Sequence, residues 1–239
     1  MEVSSRQWQR FVEKLTKIND TATKKMLDWI EKNGIEDVDA MIQYCYALST
    51  KYGEAASAYA AEYYDEVAIA SGVNLPSAIP AETVSYSAVA IAMYGMLKTT
   101  QNSNAISRKC GVFCKQASAD TLLQNAIRDK AEFAWIPSGD TCPFCMGIAA
   151  EGWQRAKLST ARSGTARHIH ATCNCMFSVR FNKESGVAGY DPGTYQKQID
   201  EVDGDLNEIR RIQYQENKDL INEQHRETYE LRENEEETE

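Results

Sequence analysis

No stretch of this chain is apolar over enough residues to cross a bilayer, and no signal peptide precedes the polar start Met1-Glu2-Val3-Ser4-Ser5-Arg6. Both absences argue against a membrane or secreted protein and for synthesis in a reducing cytoplasm. Positive charge is scarce: 26 basic residues against 35 acidic ones leave −9, which argues against a general nucleic-acid coat protein. No internal repeat recurs at solenoid or propeller period. Histidine occurs three times, and the seven cysteines are an odd number, so a disulfide scaffold is the poorer reading. Carboxylates are missing altogether between Gly152 and Asn182.

What charge there is lies unevenly. Residues 1–130 carry −1, residues 131–190 carry +2 and residues 191–239 carry −10. The last fifteen residues contain seven glutamates and almost nothing to bury, which predicts a solvated, fraying helix or a disordered end.

Helical periodicity dominates the first half. Ser4 with Gln7 three residues on makes a capping box, and Trp8, Phe11, Val12, Leu15, Ile18, Ala22, Met26, Trp29 and Ile30 then form one apolar face up to Asn33-Gly34. A second helix is expected from about Val38 to Ala70, broken by the Gly72, Pro76 and Pro80 segment. Two more are expected near 81–100 and 104–132, with Cys45, Cys110 and Cys114 read as half-buried core thiols. Phe133 to Pro137 reads as a short apolar strand, Met146 to Arg155 as a short helix bearing Trp153 on its apolar side, and Lys157 to Arg167 as a loop. Cys173 to Phe181 reads as a strand by alternation, with Cys173, Cys175, Phe177, Val179 and Phe181 on one face. From Tyr195, a stripe of Ile199, Val202, Leu206 and Ile209 marks a final helix.

The chemistry concentrates in two clusters. Thr141-Cys142-Pro143-Phe144-Cys145 is a Cys-x-x-Cys turn, and His170-Ala171-Thr172-Cys173-Asn174-Cys175 follows after the acid-free loop. Two thiolates on a proline-stiffened turn can reach one ion near 2.3 Å, and a second cluster completes the tetrahedron that Zn²⁺ favours. Five candidates, Cys142, Cys145, His170, Cys173 and Cys175, compete for about four places; Cys142, Cys145 and His170 with one of Cys173 or Cys175 is the expected set. Few apolar residues lie in 131–190, so the metal is expected to act as the local core. A catalytic zinc needs an open position and a nearby acid or base. The acid-free stretch lacks one, and no His-x-Glu precedes Cys142 as a deaminase would require. A closed structural site follows. Arg155, Lys157, Arg162, Arg167 and Arg180 either offset the thiolate charge or contact a phosphate or acidic partner.

Trp135-Ile136-Pro137, Asp140-Thr141-Cys142-Pro143-Phe144-Cys145 and His168-Ile169-His170-Ala171-Thr172-Cys173-Asn174-Cys175 together resemble the metal-binding signature of tailed-phage minor head proteins, the head-morphogenesis family named after the F protein of phage Mu. That signature ends in His-Pro-x-Cys-Arg-Cys before a strand; here Ala171 replaces the proline and Asn174 the arginine. The resemblance covers about residues 132–181. It implies a low-copy component of the capsid interior, formed in the host cytoplasm during assembly. Such a protein associates with the portal protein, the major capsid protein or a scaffolding protein, and aids head assembly and packaging or ejection of DNA.

The expected protein is therefore mainly α (α+β) and non-enzymatic. Residues 1–131 form a helical domain, 132–190 a zinc-knuckle module with a short antiparallel sheet, and 191–239 an acidic helix and tail. No membrane and no small-molecule substrate are expected. Two other readings compete: a metal-dependent nuclease of the His-Asn-His kind, suggested by His168, His170 and Asn174, and a cellular zinc-ribbon adaptor.

Overall fold

The computed structural model describes residues 3–138, 141–157, 175–218 and 222. Four helices come first: α1 (Ser5–Asn33), α2 (Val38–Ala70), α3 (Tyr86–Leu97) and α4 (Ser103–Arg128). A strand β1 (Glu132–Ile136), a helix α5 (Pro143–Ala150) and strands β2 (Gln154–Arg155) and β3 (Met176–Arg180) follow. Two short helices, α6 (Pro192–Asp200) and α7 (Leu206–Glu216), complete the described order.

The helix starts are chemically specified. Ser4 Oγ accepts from the Gln7 amide at 3.3 Å while the Ser4 amide donates to Gln7 Oε1 at 3.1 Å, so both halves of the capping box form. Asp37, Ser85 and Asn102 cap α2, α3 and α4 by accepting from the third amide of each helix. Gly34 ends α1 at φ +75°, a backbone conformation that costs glycine little.

Helices α1, α2 and α4 pack together and bury two apolar clusters. The cluster nearer the α1–α2 turn joins Met26, Ile30, Met41 and Ile42 to Val89 and Met93 of α3. It also encloses Cys45, Cys110 and Cys114, all fully buried rather than half-buried as expected. The other joins Trp8, Phe11 and Leu15 of α1 to Tyr63, Tyr64 and Val67 of α2, and to Leu122 and Ala126 of α4. Phe133, Trp135, Phe177 and Val179 of the sheet belong to this second cluster. The core therefore runs across residue 131, and the sheet takes its apolar support from the helices. Phe11 and Tyr63 stack with ring centroids 3.9 Å apart, and Trp135 meets Phe177 edge-on across the strands at 4.7 Å.

The sheet is antiparallel in the order β2-β1-β3. Register runs from Glu132 opposite Arg180 to Ile136 opposite Met176. Every residue from Cys175 to Val179 is buried, so both faces of the strand are covered. Helices α2 and α4 pack on β3, and α5 packs on β1. Ser178, on the face away from Cys175 and Phe177, shares a hydrogen bond with Tyr63 Oη at 2.7 Å.

Several boundaries differ from expectation for identifiable reasons. Helix α3 begins at Tyr86, because the preceding residues are held extended by side chains of α2 and α4. Asp65 accepts from the Ala78 amide, Asn125 from that of Ile79 and Thr121 from that of Ala81, while Arg128 donates to the carbonyls of Pro76 and Ser77. Helix α4 stops at Arg128 because Lys130 takes φ +57° and Glu132 pairs in the sheet. The helix expected over 146–155 instead starts at Pro143, and Gln154 and Arg155 form β2 after Gly152 turns the chain at φ +69°. The last stripe spans two helices, since Asp203 and Gly204 adopt positive φ and the Gly204 amide closes back on the Ile199 carbonyl at 3.0 Å. No helix among the described residues is long and apolar enough to cross a membrane.

Candidate metal centre

Antiparallel pairing decides where the cysteines lie. Because Ile136 faces Met176, the chain leaves β1 at the same edge where Cys175 leads into β3. Four residues after Pro137 the chain reaches Thr141 and then α5. Cys142 is the N-cap residue of α5, in extended backbone, and its sulfur makes no capping bond; Cys145 lies in the first turn. Pro143 at the first helical position suits this start, since its ring fixes φ and its missing N–H costs nothing there. A helix N-terminus also favours negative charge on nearby ligands.

Cys145 and Cys175 are fully buried within the cluster that contains Trp135 and Phe177, and Cys142 packs against it, partly buried. Tyr195 of α6 is close enough to Cys175 that, after burial, this thiol is the next influence raising its phenol above the ordinary range. One apolar cluster thus takes in three of the five candidate ligands, Cys142, Cys145 and Cys175. His170 and Cys173 lie outside the described residues, as do His168 and Asn174. Among the described residues no group of three or more His, Cys, Asp or Glu side chains is arranged to hold a metal.

The basic candidates separate. Arg155 on β2 and Lys157 are exposed, and Arg162 and Arg167 fall outside the described residues. Arg180 is engaged: its guanidinium meets Glu132 Oε2 at 2.6 Å and lies 4.9 Å from the Trp153 ring centroid. Trp153 sits in the turn after α5 rather than on a helix face, and packs edge-on against Tyr190.

Residues that brace the centre were not visible as such in the sequence. Gln213 of α7 donates to the Thr141 carbonyl at 2.9 Å and to Met146 Sδ at 3.6 Å, tying the C-terminal helix to the Cys-x-x-Cys turn. Tyr190 Oη donates to the Ala149 carbonyl at 2.6 Å, satisfying the far end of α5. Pro192 packs against Gly152, and Leu206 lies beside Gly147. Only the apolar stripe of 199–209 hinted that this region would pack on the centre.

A helical bundle carrying a small, cysteine-edged antiparallel sheet defines the architecture. The chain belongs to the VG15 protein family, a family of viral (phage) gene products, which it matches over residues 2–202. No curated protein and no solved structure matches it.

Proposed function

We propose that this chain is a structural minor head protein of a tailed phage, held inside the capsid against the portal or the inner shell. In this reading it takes part in head assembly and in DNA packaging or ejection, with a zinc ion as a structural brace. The observation that carries the reading is that Cys142 and Cys145 at the α5 start and Cys175 before β3 share one apolar cluster. Membership in a viral gene-product family supports it, as does the likeness of the two ligand clusters to the minor head signature.

Cys142, Cys145, His170 and one of Cys173 or Cys175 would hold the ion. The ion would supply no reaction; it would fix the turn before α5 relative to β3. The surfaces of the helices would then carry contacts to the portal, capsid or scaffolding protein, and Arg155 and Lys157 would be placed to meet packaged DNA or an acidic partner.

Mass spectrometry of purified particles, set against host lysate, tests the location. The chain is expected at a few copies per particle, and its absence from intact heads overturns the proposal. Elemental analysis of the purified protein is expected to find one zinc per chain.

A further inference from the structure

Helices α2 and α4 lie side by side in matching register, and their thiols meet. The Cys110 sulfur is 3.9 Å from the Cys45 carbonyl oxygen, and Tyr64 Oη donates to Asp129 at 2.8 Å. Both pairs are 65 residues apart in sequence, so the two helices run parallel and Cys45 stands opposite Cys110. Between these points the helices approach closely. Ser57 Oγ donates to the Ala117 carbonyl at 3.3 Å, and a β-carbon added at Gly53 would lie 3.7 Å from that of Ala117. A disulfide asks for facing residues with Cα atoms about 4.4–6.8 Å apart, and opposed positions on helices packed this closely answer that requirement.

Ser49 Oγ lies 3.4 Å from the Cys110 sulfur and 3.9 Å from that of Cys45. The Cys110 thiol is also hydrogen-bonded to those of Cys114 and Cys45, so it is the middle one of three. Those two hydrogen bonds hold Cys110 below the ordinary thiol range, while the bond to Cys110 and then burial push Cys45 and Cys114 up. Cys110 is therefore the thiol of the three that ionises first. All three are reduced and fully buried. Of the four helices around them α3 contributes least, only Val89 and Met93, so its parting is the least costly way in for a small oxidant.

We propose that Cys45 and Cys110 form a redox lock, closing into a disulfide that fastens α2 to α4 when the chain meets a hydroperoxide. The Cys110 sulfur attacks the peroxide: an S–O bond forms, the O–O bond breaks, and the departing hydroxide takes up the thiol proton as water. Sulfur is oxidised and peroxide reduced. The Cys45 sulfur then attacks the sulfenic sulfur, the S–S bond forms, the S–O bond breaks, and the oxygen leaves with the Cys45 proton as a second water. Two thiols and one hydrogen peroxide become one disulfide and two waters. A reducing compartment keeps the lock open, and an oxidising one closes it. A bond between Cys110 and Cys114 would close within one helix and join nothing. The lock depends neither on the metal nor on the role proposed above.

Hydrogen peroxide treatment of the full chain, followed by alkylation and tryptic digestion without reductant, tests the lock. Mass spectrometry is expected to find the peptide bearing Cys45 joined to the one bearing Cys110. The melting point is expected to rise by at least about 5 °C, and dithiothreitol to reverse both changes. Cys114→Ala is expected to keep the link, and Cys45→Ala or Cys110→Ala to lose it. The comparison with and without dithiothreitol needs no substitution, so a variant that fails to fold leaves the test standing. Recovery of Cys45 and Cys110 separately alkylated from the peroxide-treated protein overturns the proposal. So does a bond between Cys110 and Cys114, or a link that leaves the melting point unchanged.

Discussion

Tyr63 of α2 and Ser178 of β3, 115 residues apart in sequence, share a 2.7 Å hydrogen bond inside the core. The bond fixes the sheet to the helices at a point where both hydroxyls are shut off from water, and burial holds the Tyr63 phenol neutral well above its ordinary range. Tyr63→Phe leaves Ser178 with its hydroxyl unsatisfied and is expected to cost about 1–3 kcal/mol, read from urea denaturation. Tryptophan fluorescence and far-ultraviolet dichroism should shift together, because sheet and helices share that core; separate midpoints would show them uncoupled.

Tyr64, Asp129 and Arg128 form a second tie, at the end of α4. Arg128 lies 2.7 Å from Asp129, and Tyr64 Oη donates to the same carboxylate at 2.8 Å. The guanidinium first, and the Tyr64 hydroxyl after it, hold the Asp129 carboxyl below the usual range against the opposing effect of burial. A carboxyl with a depressed folded pKa stabilises above its unfolded pKa and loses that contribution as pH falls through the folded value. Asp129→Asn should therefore be less stable than the parent at pH 7, and the gap should shrink as pH drops below about 4. A gap that persists unchanged at low pH contradicts the assignment.

Close approach of α1 and α4 rests on Gly111. A β-carbon there would collide with Thr23 Oγ1 and sit 3.1 Å from the backbone oxygen of Asn19. The gain in helix propensity from Gly111→Ala is under about 1 kcal/mol, while overpacking typically costs about 1–3. A net loss of stability is expected by thermal denaturation; a raised melting point would mean the helices part without cost.

The proposed zinc gives the sharpest separation among the cysteines. Cys142→Ser and Cys145→Ser are each expected to lose bound zinc and to lower the unfolding midpoint, because such sites contribute about 10–16 kcal/mol of apparent binding energy. Cys45→Ala, in the cluster of α1, α2, α3 and α4, should keep its zinc. Equal zinc in all three variants, measured by elemental analysis, would place the metal elsewhere or remove it.

Much of this was legible in the residues. Ser4 and Gln7 specified the first cap, and the repeat from Trp8 to Ile30 specified the buried face of α1, because local hydrogen bonds and a 3.6-residue period act within a few residues. Val38 and Ala70 bounded α2 as expected. The shortened α3 was hidden, since the side chains of Asp65, Thr121, Asn125 and Arg128 that hold the segment before it come from distant parts of the chain. Alternation from Cys173 to Phe181 marked the strand; that Ser178 on its other face would be buried against Tyr63, far off in sequence, had no local signal. The Cys-x-x-Cys turn announced itself by spacing, and its burial with Cys175 in one apolar cluster carried no local signal. Gln213 carried no local signal because a lone amide on a polar helix looks like any solvated side chain.

Val3 joins a parallel bridge to Val187: its amide donates to the Gly186 carbonyl at 2.8 Å and its carbonyl accepts from Ala188 at 3.1 Å. This stitch links the opening residues to a segment made some 180 positions later, so it cannot form until synthesis has passed residue 188. A nascent chain stalled earlier can coil its helices but leaves Val3 without its mate. The ribosome thus sets the order of events, and this stitch closes only once the four helices and the sheet have been synthesised.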